Sequence, residues 1–238
     1  MFFTLAKKYK NGEMKKGIFS IITIMILVMA LTAFRGWFIS NVLDSLAFAP
    51  RLISYYALWW VVLIPIFLFM RGNKETCGDL GFTKAKMPPQ ILTGILLGLV
   101  TSFALSGIVT LAGQRELLYG FTEGDIPAPG VLAYRIFEVM ILTALVEEII
   151  FRGYLFKKMM DVKNSKLLAI IVTALLFGFM HIVNGPNIIF IISPTIFGFI
   201  YGACRANLKN CSLLSLIIAH GLHDALNGAV IFGLLDLL

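Results

Sequence analysis

Residues 17–38 read GIFSIITIMILVMALTAFRGWF. The run is apolar over about the 20 residues that a helix needs to cross the hydrocarbon core of a bilayer. Its flank is basic, with Lys7, Lys8, Lys10, Lys15 and Lys16. A secretory signal has the same polarity, and MALTA at 29–33 resembles a cleavage site. The apolar part is longer than a usual signal core of about 7–15 residues, so a retained membrane span is expected. Outward from this run the pattern repeats. Further spans are expected at 51–70, 88–113, 130–158, 167–183, 187–204 and 212–235, about seven in all.

Composition agrees. The 238 residues are 59% hydrophobic and only 14% charged, against about 25% charged in a soluble domain. The blocks lack the alternation of a membrane barrel, so helices are the remaining way to satisfy the backbone in lipid. The expected fold is all-α, a polytopic transmembrane bundle. A net charge of +7 does not indicate nucleic acid, because the basic residues sit in short segments between spans. Those segments set orientation instead. The N-terminus, 71–87, 157–166 and 205–211 are basic, and they alternate with the acidic 114–129 and the uncharged 183–187. This places the N-terminus in the cytoplasm and the C-terminus outside the cell membrane. Cys77, Cys204 and Cys211 form no metal or redox spacing.

The fourth expected span is the anomaly. It contains ALVEEIIFRGYLF at 144–156, preceded by Arg135 and Glu138. A charge at mid-bilayer costs at least about 2.5 kcal/mol, so such residues mark function. On an α-helix Glu148 and Arg152 share a face and can neutralise each other. Glu147 points about 100° away and needs partners from other helices. The fifth span ends with Phe177 and His181, four apart. The seventh holds His220 with Asp224, and His223 with Asn227, each pair one turn apart. A carboxylate or amide there can orient the imidazole and fix its tautomer. Counted from the cytoplasmic ends, Glu147 lies about 15 Å deep, His220 about 12 Å and His181 about 20 Å.

Glu147-Glu148-xxx-Arg152, Phe177-xxx-His181 and His220-xxx-Asp224, in that order and each in its own span, resemble the motifs of the CAAX prenyl endopeptidase and bacteriocin-immunity superfamily (CPBP, or ABI). The resemblance divides the chain into an N-terminal addition, 1–87, and a protease-like domain, 88–238, with a catalytic chamber between the helices of the C-terminal half. It implies an intramembrane endopeptidase acting on a membrane-associated peptide or protein. Glu147 would activate water with His181 as partner, and His220 with Asp224 would bind the oxyanion or support a metal. Glu148, Arg152 and Phe177 would be supporting residues, and His223 with Asn227 a second frame for the last motif. Many members carry Asn where this chain has Asp224. The family has been described both as metalloproteases and as glutamate-dependent proteases. Both Zn²⁺, held by Glu147, His181 and His220, and a metal-free site are therefore implied. Two other classes fit polar residues in spans: a proton-relay transporter, which would often show internal repeats, and a non-proteolytic immunity or scaffold protein.

Overall fold

In the computed structural model, residues 2–83, 86–111, 128–184 and 188–226 are described. Every regular element among them is helical. They are α1 (Phe2–Asn41), α2 (Phe48–Val61), α3 (Leu63–Gly72), α4 (Met87–Leu111), α5 (Pro129–Lys163), α6 (Lys166–Met180), α7 (Ile189–Asn207) and α8 (Leu213–Ala225). Among the described residues six helical stretches are long and apolar enough to span a bilayer, one of them, Ile53–Gly72, running through α2 and α3, and α8 is a shorter apolar helix. The all-α polytopic expectation holds. The remainder of the expected seventh span, Asn227, the C-terminus, most of the acidic 114–129 segment and part of the 183–187 link lie outside the described residues.

Helix ends follow local chemistry. Pro65 has no N–H and its ring crowds the carbonyl four residues earlier, which separates α2 from α3 at Val62. α5 stops at Asn164, which takes a left-handed conformation (φ 49°) that asparagine tolerates. Ser165 then caps α6, its hydroxyl accepting from the Leu168 amide. Ser212 and Ser215 form a reciprocal capping box that starts α8.

The chain packs as two compact units, Met1–Phe82 with Ile149–Leu208 and Thr83–Glu148 with Lys209–Leu238. The division falls inside α5, between Glu148 and Ile149. In the first unit α6 packs along α7, and α1 packs on the end of α5. Small residues permit the α6–α7 approach. A Cβ on Gly178 would lie 2.6 Å from the Ile191 carbonyl, and one on Gly198 would lie 3.0 Å from Ala174 Cα. Arg205 of α7 donates to the Leu80 carbonyl at 2.8 Å, tying down the segment after α3.

In the second unit α8 packs against α4 and against the first part of α5. Gly94 and Gly98 form a small-xxx-small seam on α4. A Cβ would meet the Ser215 carbonyl at 2.6 Å from Gly94, and the Ala219 carbonyl at 2.8 Å from Gly98. Gly221 of α8 does the same against Met140, with 2.9 Å to its Cα. Close backbone approach of this kind is how helices associate when lipid removes the hydrophobic drive between them. It also fixes the height of His220, one residue before Gly221.

Candidate catalytic site

α5 is not a uniform α-helix. Met140–Ala144 and Ile149–Leu155 are π-helical, and Leu145–Glu148 between them is α-helical. Glu147 and Glu148 thus sit in one α-turn bracketed by two wide turns, a distortion often found at functional sites. The four-residue repeat that set Glu148 and Arg152 on one face does not run through Ile149–Leu155, where hydrogen bonds close five residues apart.

In the second unit the two glutamates meet α8. Glu147 is 4% exposed, Glu148 0% and His220 2%. His220 Nδ1 lies 2.8 Å from Glu148 Oε1. An ionised carboxylate only accepts, so Nδ1–H donates to Glu148. The other ring nitrogen, Nε2, faces two more carboxylates, Asp224 Oδ2 at 3.4 Å and Glu147 Oε2 at 3.8 Å. The first is a long hydrogen bond and the second lies beyond direct hydrogen-bond range. Asp224 is the most open of the three, with a third of its side chain exposed. Arg135 lies within electrostatic reach of Asp224 and Glu138, and half-buried His223 within reach of Asp224 and His220. One imidazole therefore has three carboxylates beside it, and one of these, Asp224, is within electrostatic reach of Arg135.

In the first unit Arg152 is fully buried. Its guanidinium carbon stands 4.1 Å from the centre of the Phe177 ring and 5.8 Å from that of Tyr201. Phe151 meets Phe177 edge-on at 5.0 Å, and His181 meets it likewise at 4.7 Å. His181 is the residue at which α6 gives way to a 3₁₀ turn, His181–Asn184. Its Nδ1 lies 2.8 Å from the Phe177 carbonyl. A carbonyl only accepts, so Nδ1–H donates and the neutral ring presents Nε2 as the basic nitrogen. The pattern Phe177-xxx-His181 thus has two physical contents. The backbone of Phe177 fixes the tautomer of His181, and its ring covers Arg152.

The structure brings Glu147, Glu148, His220 and Asp224 together in one unit, and Arg152, Phe177 and His181 together in the other. Asn227 lies outside the described residues. Three partnerships were not legible in the sequence: Glu148 with His220, Arg152 with Tyr201, and Arg135 with Asp224. Each joins different helices or rests on ring geometry, which spacing within one segment does not encode. Among the described residues no group of three or more His, Cys, Asp or Glu side chains is arranged to hold a metal ion.

Comparison with curated proteins and with solved structures gives no match. Comparison with family models matches residues 129–226 to the type II CAAX prenyl endopeptidase Rce1-like family. The matched stretch runs from the start of α5 to the end of α8 and contains every motif residue named above except Asn227. Over this stretch, less than half of the chain, the protein is similar to the type II CAAX prenyl endopeptidase Rce1-like family, and its helices are those of a multi-pass membrane protein.

Proposed function

We propose that this chain is a glutamate-dependent endopeptidase that cleaves a membrane-associated peptide or protein. The observation that carries this reading is the buried set in the second unit: a glutamate pair on a distorted turn of a membrane-crossing helix, with His220 set among its carboxylates. Glu147 is the base. Its Oε2 takes a proton from water as the water oxygen bonds to the scissile carbonyl carbon. The carbonyl then carries the negative charge as a tetrahedral oxyanion. When the C–N bond breaks, Glu147 returns the proton to the departing nitrogen and is ionised again. A single carboxylate thus serves both halves of the reaction.

His220 supports this cycle. Glu148 holds its Nδ1–H, so Nε2 stays directed at Glu147 and Asp224. A protonated Nε2 would donate to the oxyanion, and Asp224 would orient it. His181 enters on the family motif alone, with Nε2 as its basic nitrogen. The protease domain is assigned to 88–238, with 1–87 as an addition to it, and the basic ends of the helices are assigned to the cytoplasm.

The test is hydrolysis of lipidated and unlipidated membrane peptides by purified protein in vesicles. Glu147→Gln and His181→Ala are expected to lower the rate by about 10²–10⁴, the usual contribution of acid–base groups, while each protein melts near the wild-type temperature. Wild-type rates in both variants would overturn the reading. A chelator arm bears on the metal. Full activity after exhaustive chelation supports the metal-free route, and loss restored by Zn²⁺ would replace it.

A further inference from the structure

The first unit contains a cavity of about 520 Å³ that none of the motif residues line. We infer that this cavity binds the head of a phospholipid carrying both a phosphate and a primary ammonium, the phosphoethanolamine class.

Its walls are of both signs. Lys16 of α1 and Lys158 of α5 supply ammonium groups, and Glu75 and Asp161 supply carboxylates. Two of these groups are nearly buried, Lys158 at 7% and Glu75 at 10% side-chain exposure. Glu75 Oε1 accepts from Lys157 at 2.8 Å and Lys158 at 2.6 Å. Its other oxygen, Oε2, is buried and has no hydrogen-bond partner among the described residues. A buried carboxylate oxygen left in that state is costly, and an incoming N–H donor relieves the cost. The cavity therefore asks for a cation at Glu75 and an anion at the lysines.

Position selects the source. Lys16 belongs to the basic start of α1, Glu75 follows the end of α3 at Gly72, and Lys158 and Asp161 belong to the last turns of α5. Ends of membrane-crossing helices mark the boundary between bilayer and water. Phe19 and Phe69 also line the cavity and lie further into their spans, with Phe19 64% exposed. A charged chamber with an aromatic wall on the membrane side suits an amphiphile. A phosphate alone would meet Glu75 and Asp161 unfavourably. A choline head has no N–H to give Glu75 Oε2.

The experiment uses the full chain extracted from vesicles of equal parts phosphatidylethanolamine, phosphatidylcholine and phosphatidylglycerol, with retained lipid counted by native mass spectrometry. Phosphatidylethanolamine is expected to exceed phosphatidylcholine by about tenfold, the worth of one charge-assisted hydrogen bond. Glu75→Gln is expected to bring that ratio to about one. Lys16→Glu, at an exposed position, is expected to reduce retention of phosphatidylethanolamine without lowering the melting temperature. Excess soluble glycerophosphoethanolamine separates the sources. Failure to displace the lipid supports the amphiphile, and full displacement assigns the site to the soluble head and overturns the lipid. Equal retention of phosphatidylethanolamine and phosphatidylcholine by the wild type overturns the proposal. So does a preference that survives both substitutions. Should Glu75→Gln fail to fold, the wild-type ratio together with Lys16→Glu decides. Loss of proteolysis in the Glu147→Gln protein has no bearing on this outcome.

Discussion

Arg152 and His220 are both nitrogen-rich side chains with almost no exposed surface, and different groups stand beside them. Arg152 is covered by rings, with Phe177 at 4.1 Å and Tyr201 at 5.8 Å. His220 is surrounded by acids, with Glu148, Asp224 and Glu147 at 2.8, 3.4 and 3.8 Å. A π-face attracts a guanidinium but neither gives nor takes a proton. A carboxylate beside an imidazole does both. The first environment holds a charge in place, and the second can move one. On the proposed function, this contrast makes the ring-covered centre a structural support and the acid-lined centre a place for chemistry.

Crossed substitutions test the contrast most severely. Arg152→Ala is expected to cost about 3 kcal/mol or more of stability, because it opens a cavity under Phe177 and removes the ring's partner. The rate per folded molecule should stay within a few-fold of wild type. His220→Ala is expected to do the reverse, lowering the rate by about 10²–10⁴ while melting shifts far less than in Arg152→Ala. Thermal melting in detergent and turnover corrected for folded fraction measure both. If Arg152→Ala abolished turnover without loss of folded protein, the division between support and chemistry would be wrong.

A pair of glycines sharpens the same point with a smaller effect. A Cβ at Gly98 would lie 2.8 Å from the Ala219 carbonyl, next to His220. A Cβ at Gly198 would lie 3.3 Å from Arg152 Nη2 and 3.0 Å from Ala174 Cα. Both alanine substitutions overpack a helix seam and should cost about 1–3 kcal/mol. Gly98→Ala should in addition lower turnover, because it shifts the helix that carries His220. Gly198→Ala should leave turnover per folded molecule unchanged. Equal effects on rate would show that helix packing in general, and not the height of α8, controls activity.

Phe177→Leu comes next. It removes the ring over Arg152, worth about 0.5–2 kcal/mol, but keeps the backbone carbonyl that accepts from His181. A stability loss with an intact rate is expected. A rate loss matching that of His181→Ala would mean that the ring, not the carbonyl, orients the histidine.

These contrasts also show how far sequence reasoning reached. The pairing of His220 with Asp224 follows from a four-residue spacing in α8, which is a regular α-helix, and their side chains do meet. The same rule applied to Glu148 and Arg152 passed through Ile149–Leu155, where the turns are π-helical. No residue type announces a π turn, so the change of period is invisible in one sequence. Glu148 was expected to look along its own helix to Arg152. Glu148 also meets His220, 72 positions away, a distance in sequence that only helix packing closes. The membrane fold was legible because lipid demands long apolar runs whatever their order. The cavity beside Glu75 was not, since it depends on three helix ends meeting.

The smallest effect belongs to a carboxylate that has water where those around His220 have protein. Asp79 lies between α3 and α4, outside the spans. Its Oδ2 accepts from the Thr76 amide and the Thr76 hydroxyl, each at 2.7 Å. These bonds, the amide first, hold its carboxyl below the ordinary 3.8, with the charge of Lys157 adding to them. A folded value below the unfolded one contributes stability that is fully present above the unfolded value and fades as pH falls through the folded one. Asp79→Ala should therefore melt slightly below wild type from neutral pH down to about 4, and the gap should close at more acid pH. Solvent screens this exposed group, so the gap should be the smallest of the series, with turnover unchanged. Parallel melts of the two proteins from pH 7 to 3 measure it. A gap that widened on acidification would give the linkage the wrong sign, and would mean that Thr76 stabilises the protonated acid.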